Sequence, residues 1–455
     1  MKARAVTGLG VTSVLGTGAE AFLRALGDAP RPLAERGPMP IASFDASKVD
    51  LAAGAPIVEV PEFDPARYLG DKGLRVLDRL TKLLLVGARL ALQDAGLKKD
   101  GAWTAGVAER VGVVVSNAYG SLEAITELDR VAKLEDARYI NPSKFPNTVS
   151  NSASGYVSIW EELRALNVTV SDGNCGGLDA VACADMFLET GRADQLLVGG
   201  GEAMSEALWL AFAKLGGGGA LGSTRIGEGA AFLAMETLES AKARGAKVLA
   251  HVTGYGTSFV APPDETTLIY ASRTAMERAA KHALTDAGVS AAEVDLVVSG
   301  ASGLPRFDDE ELAAIAAVVP AAPVVAPKLL LGETLGAGAS LGMAATLAWL
   351  AGAAPTPLVR GSAPPKVKTV LLTSVGYYGN ASALVMRAPC SALTAAGCRP
   401  CGSGCRRRSS GTSRRSRHRT GSRPCRWPPP PSRRRRSTRR PRSPRCRWRC
   451  PPPRS

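Results

Sequence analysis

Short β-branched runs alternating with Ala- and Leu-rich stretches constrain the fold of this chain more than any other feature. Residues 111–115, 168–171 and 195–200 read as strands, with helical composition over 122–133 and 178–189. Brief apolar runs separated by helices are typically buried on both faces, which predicts an α/β layered fold with mostly parallel central sheets. The pattern returns at 294–299, 310–319, 324–326, 337–350 and 370–374. Each half also opens alike, with Thr7-Gly-Leu-Gly10 in one and Thr253-Gly-Tyr-Gly256 in the other. These repeats predict an internal duplication with a seam near 240–250, giving halves of 1–245 and 246–389.

Composition limits what surrounds this body. The chain has 455 residues, 45% of them apolar, enough for large cores. Beyond Pro389 the composition changes abruptly: residues 390–455 hold 21 Arg, 11 Pro and seven of the nine Cys, with no Lys, Asp or Glu. Because the whole chain carries +15, residues 1–389 are net acidic by 6 and the basicity belongs to the tail. The tail is expected to be disordered. Its arginines suit phosphate or anionic lipid. However, Cys398-Arg-Pro-Cys401 is an isolated pair and His418 has no partner at a zinc-finger distance, so no metal site and no specific nucleic-acid binding are predicted.

Other targeting and ligand signals are weak. The start, Ala5-Val-Thr-Gly-Leu-Gly-Val-Thr-Ser13, is too Gly-rich for a signal-peptide core and reads as a first strand. The longest apolar run, 341–354, is shorter than the ~20 residues a membrane span needs. The body has two Cys, Cys175 and Cys183, so no disulfide framework is expected. These readings place the protein in the cytoplasm. Gly216 to Gly219 is followed by no Lys-Ser/Thr pair and reads as a surface loop, not a phosphate cradle; no cofactor is predicted.

The stretch Ser171-Asp-Gly-Asn-Cys-Gly-Gly-Leu-Asp-Ala180 carries the chemistry. A strand runs through a tight turn into a Gly-rich helix start, where free N–H groups and the positive dipole end lower a thiol pKa and hold an oxyanion. Asn174 and Cys175 occupy that turn.

These segments together resemble the β-ketoacyl synthases, condensing enzymes of the thiolase fold. The resemblance spans residues 3–388. It rests on Val6-Thr-Gly-Leu-Gly-Val-Thr-Ser-Val-Leu-Gly16, on Asn141-Pro with Phe145-Pro-Asn-Thr148, and on Gly176-Gly-Leu-Asp-Ala180. Gly191-Arg-Ala-Asp194, Gly200-Gly-Glu-Ala203, Gly227-Glu-Gly-Ala230 and Ala241-Lys-Ala-Arg-Gly-Ala246 follow in order. The family uses a Cys nucleophile, which takes an acyl chain from an acyl carrier protein, and two His that stabilise charge during decarboxylative condensation. Aligned on Gly177-Leu-Asp-Ala180, the nucleophile position falls on Asn174, with Cys175 one residue late. The first His position, in the loop after 294–298, falls on Ser299, with Asp308 and Glu311 matching the acidic pair that follows. The second, in Lys328-Leu-Leu-Leu-Gly-Glu333, falls on Glu333, with Lys328 kept. The body's two His, His251 and His282, lie in segments far from either loop.

An amide is a poor nucleophile, and one residue along a helix start rotates a side chain by ~100°. The resemblance therefore implies a subunit like the chain-length factors of aromatic polyketide systems, catalytically degenerate and paired with an active β-ketoacyl synthase, or a homodimer. The alternative is a variant condensing or decarboxylating acyltransferase working through Cys175 or Glu333, although the cation of Lys328 nearby argues against a free general base. Val375-Gly-Tyr-Tyr-Gly-Asn380 resembles the family's gate loop with two Tyr adding bulk, which narrows the pocket. The resemblance ends at Arg387, where such domains finish, which favours reading 390–455 as an out-of-frame GC-rich translation.

Overall fold

The computed structural model describes residues 1–37, 39–45, 57–215, 222–264, 266, 267 and 269–389. The tail from 390 onward and Gly216 to Gly219 lie outside the described residues. Among the described residues eleven strands line up in one sheet: β1 (Arg4–Ser13), β2 (Val111–Ser116), β3 (Asn167–Val170), β4 (Gln195–Glu202), β5 (Gly229–Thr237), β6 (Ala250–Phe259), β7 (Leu296–Val298), β8 (Val324–Val325), β9 (Leu358–Arg360), β10 (Thr369–Val375) and β11 (Asn380–Arg387). Their order is β9-β8-β7-β10-β11-β6-β1-β5-β4-β2-β3, and the short Gly16–Thr17 strand pairs with β1.

The strands picked out by helix alternation pair in parallel, β2 with β3 and β4, and β7 with β8 and β10. Between these flanks β4, β5, β1, β6, β11 and β10 run antiparallel, each to the next, giving a mixed sheet. The halves join where β1 meets β6, with Arg4 opposite Val252 and Val6 opposite Ala250.

Five helices position the site: α1 (Arg79–Asp94), α2 (Gly176–Glu189), α3 (Arg273–Ala287), α4 (Pro305–Val318) and α5 (Gly338–Leu350). Alternation along the strands feeds two sides. Leu196 and Val198 of β4 pack with α2 and α5, while Leu197 faces α1. In the second half Leu296 and Leu372 join α2 and α5, while Val297 and Leu371 face α3. The middle helices are thus covered on both sides by strands, and α5 is buried nearly all round, as an even apolar helix should be.

The two outer helices, α1 and α3, seat on their strands alike. A Cβ on Gly8 would lie 2.6 Å from Ala95 N, and one on Gly10 would overlap the Gly87 carbonyl, because α1 crosses β1 at backbone distance. Gly254 and Gly256 stand in the same way under α3, against the Ala283 and Ala279 carbonyls. Each strand shifts register before its first glycine, and each helix returns an aspartate to the residue between the pair. Asp94 Oδ2 accepts from Leu9 N at 2.8 Å, and Asp286 Oδ2 accepts from Tyr255 N at 3.0 Å. The repeated Thr-Gly-x-Gly is therefore a helix seat, which only glycine permits.

Candidate active site

Gly173, at φ 53, turns the chain out of β3 into a single 3₁₀ turn, Gly173–Cys175, that runs into α2. The end of β10 holds this turn. Ser374 Oγ donates to the Asn174 carbonyl at 2.9 Å, and Cys175 Sγ donates to the Ser374 carbonyl at 3.4 Å. Asn174 and Cys175 face different neighbours. Cys175 is fully buried, and burial, with the Asp179 and Asp172 carboxylates behind it, pushes its thiol well above the ordinary range. Those effects outweigh the helix end, so at neutral pH the group is a thiol and not a thiolate nucleophile. Asn174 Oδ1 is buried beside the Tyr377 hydroxyl.

The loop after β7 brings Ser299 to the same region. Its hydroxyl donates to Glu311 Oε1 at 3.0 Å and accepts from Ala301 N at 3.0 Å. Glu311, on α4, also accepts from Gly300 N at 2.8 Å and Thr373 Oγ1 at 2.6 Å, while Asp308 accepts from Ser302 N and Gly303 N. The acidic pair therefore braces the loop. Burial raises both carboxyls, Asp308 to about 6 despite its two N–H donors. Ser299, already engaged at both roles of its hydroxyl, supplies no base.

Glu333 closes the third side in an ion pair. Lys328 Nζ lies 2.8 Å from Oε1 and 3.0 Å from Oε2, both residues being buried, and Leu335 N donates to Oε1 at 3.0 Å. Gly338, at the start of α5, makes room for this pair, since a Cβ there would come 2.7 Å from Lys328 Cε. A carboxylate so occupied is a counter-ion.

Sequence reasoning missed Glu202. Fully buried at the end of β4, it accepts from Ala118 N at 2.8 Å and Gly336 N at 3.3 Å, tying the loop after β2 to the loop of Glu333; burial lifts it to about 7. Its place in Gly200-Gly-Glu-Ala203 was the available signal.

The Tyr377 hydroxyl is buried, with Asn174, Glu333, Tyr119 and Asp308 around it. Burial first, and then the Glu333 charge, raises it well above the ordinary phenol range. Its ring meets Phe307 edge-on at 5.0 Å, so the gate-loop tyrosine fills space beside Asn174. Behind Ser299, Lys328 and Ser374 a cavity of about 20 Å³ remains, which holds about one water and no acyl chain.

The fold thus gathers Asn174, Cys175, Ser299, Lys328 and Glu333 around the end of β10. His251 sits in β6 opposite Arg387 and His282 is exposed on α3. Neither imidazole appears among the groups bonded to these loops. Among the described residues no cluster of metal-ligating side chains occurs, and no helix is long and apolar enough to cross a membrane.

A duplicated layered body with two glycine-led helix starts meeting at its centre, Gly177 against Ser340, is the architecture of the thiolase-like ketosynthases. Residues 2–241 match the family described as β-ketoacyl synthase, N-terminal domain, and residues 249–359 its C-terminal domain. The chain belongs to the β-ketoacyl synthase family. It is 30% identical over 336 residues to 3-oxoacyl-(acyl-carrier-protein) synthase 2 of Coxiella burnetii, covering 68% of this chain and 75% of that protein. It is also 30% identical over 418 residues to the tetracenomycin polyketide synthase ketoacyl synthase beta subunit of Streptomyces glaucescens, covering 84% and 97%. Among solved structures it resembles the ishigamide ketosynthase/chain length factor, with a TM-score of 0.73, 26% identity and coverage of 85% and 99%. Its relatives are ketosynthase homologues of fatty acid and polyketide synthesis.

Proposed function

We propose that this chain is a catalytically silent ketosynthase homologue that pairs with an active β-ketoacyl synthase and helps set the length of the acyl chain that the partner extends on an acyl carrier protein. The state of the catalytic positions carries this reading. An amide, a hydrogen-bonded hydroxyl and an ion-paired carboxylate stand at Asn174, Ser299 and Glu333, beside a sealed thiol at Cys175. The likeness to a ketoacyl synthase beta subunit and to a ketosynthase/chain length factor supports the partner role. Reaction through Cys175 or Glu333 would require unsealing the first or breaking the second from Lys328.

A surface for the partner is available at the sheet's end. Among the described residues β3 pairs only with β2, through Val113 N to the Leu166 carbonyl and Asn117 N to the Val170 carbonyl, which leaves its other edge without a described partner. The helices flanking it, Ser152–Glu161 and α2, expose Ile159 and Met186 at 72% and 55%. An unpaired edge beside apolar side chains is a strand-pairing face. Ile159→Asp should leave the fold intact, because Ile159 is already solvated, and should weaken co-purification with a synthase partner about tenfold or more. Unchanged assembly, or a solitary homodimer with no effect on product length, would count against the proposal.

A further inference from the structure

Tyr377 is held with its tip inward. The loop between β10 and β11 is fastened at both ends to the turn that carries Asn174. Before it, Ser374 Oγ donates to the Asn174 carbonyl at 2.9 Å; after it, Asn380 Nδ2 donates to Asp172 Oδ1 at 3.0 Å. From the other side Tyr270 N donates to the Tyr377 carbonyl at 2.7 Å and Gly379 N donates to the Tyr270 carbonyl at 2.8 Å. Tyr377 as a residue keeps part of its surface exposed, yet its hydroxyl is sealed. The side chain therefore enters from the surface and ends inside.

The space it enters is apolar. The ring packs on a cluster of Met204, Leu208, Trp209, Phe212, Ile226 and Leu335, and meets Phe307 of α4 edge-on at 5.0 Å. Leu208, Trp209 and Phe212 come from one helix, Glu206–Leu215, while Leu335 opens the turn that packs against Gly173–Cys175. One polar atom is left over in this wall: Trp209 Nε1 is buried and has no acceptor among the described residues. Apolar walls with a single spare N–H suit a ligand with an apolar body and one carbonyl oxygen. A carboxylate suits them less, because Lys328 is committed to Glu333, whose backbone bridges to Ile226 of the same cluster.

We propose that Tyr377 is a built-in plug, standing in a recess that would otherwise take a neutral linear acyl chain, so that this subunit keeps its own recess closed and leaves the chain to its partner. The proposal rests on the reading of the subunit as silent and adds what keeps it empty. Every bond that fastens the loop uses backbone atoms or the side chains of Ser374 and Asn380, and none uses the tyrosine ring. Removing the ring should therefore leave the loop in place and open a void beneath it. Apolar voids of about 150 Å³ stay dry and bind benzene-sized molecules.

Calorimetric titration of the full chain with N-methylhexanamide tests the plug. Tyr377→Ala should bind this neutral chain at least about tenfold more tightly than the native protein or Tyr377→Phe, which keeps the ring. Hexanoate, of the same length but charged, should gain less than about twofold. p-Cresol, the excised side chain itself, should bind Tyr377→Ala and not the native chain; Tyr377→Val serves if the alanine variant folds poorly. Equal binding of the amide by native and variant chains, equal gains for hexanoate, or a folded variant that takes p-cresol but not the amide would overturn the proposal. Because the amide has no leaving group, these outcomes are independent of the silent reading, which fails instead if Cys175 takes an acyl label.

Discussion

Lys328→Met is expected to destabilise the protein by about 3–5 kcal/mol, because it leaves the Glu333 carboxylate buried without its cation. The pair's two short N–O contacts and near-zero exposure put it where water cannot screen or replace the lost charge. The double variant Lys328→Met/Glu333→Gln should recover more than half of that loss. The amide is neutral, yet its oxygen still accepts from Leu335 N, which would otherwise become an orphan donor costing about 1–3 kcal/mol. A denaturant-unfolding cycle over the four proteins reads the coupling directly. If Lys328→Met alone costs less than about 1 kcal/mol, Glu333 is free enough to serve as a base, and the counter-ion reading fails.

The second large effect lies in the helix seats. Gly10→Val should cost about 3 kcal/mol or more and Gly256→Val a similar amount, since each new side chain would be driven into a helix carbonyl, of Gly87 or Ala279, and not into a movable side-chain end. Gly155 provides the control. It lies inside the Ser152–Glu161 helix with open space at its Cβ position, and Gly155→Ala should stabilise by about 0.5–1 kcal/mol. Thermal unfolding of the three variants separates the cases, and similar losses at Gly10 and Gly256 are what a duplicated device predicts.

The two Thr-Gly-x-Gly stretches were legible because each is a local signature, and both seat a helix against a strand. The parallel strands were legible for the same reason, each being flanked by helical composition. The antiparallel centre was not, because β1, β5 and β11 are buried along most of their length and lack the in–out alternation that marks strand direction and partner. At the site, the positions of Asn174, Ser299 and Glu333 were readable from motif spacing. The Lys328–Glu333 pair was suggested by five residues of separation and appears as a direct contact. The Asn380–Asp172 bond spans 208 residues and leaves no local trace. Glu202 was hidden similarly, since its donors, Ala118 N and Gly336 N, come from loops distant in sequence.

A silent subunit should hold no acyl chain covalently. With an active synthase and an acyl carrier protein bearing a labelled acyl thioester, peptide mass spectrometry should find the label on the partner's nucleophile and none on Cys175. Cys175→Ala should leave the rate of product formation unchanged. A stoichiometric acyl adduct on Cys175, with product lost in the Cys175→Ala chain, would contradict the account and make this subunit a catalyst in its own right.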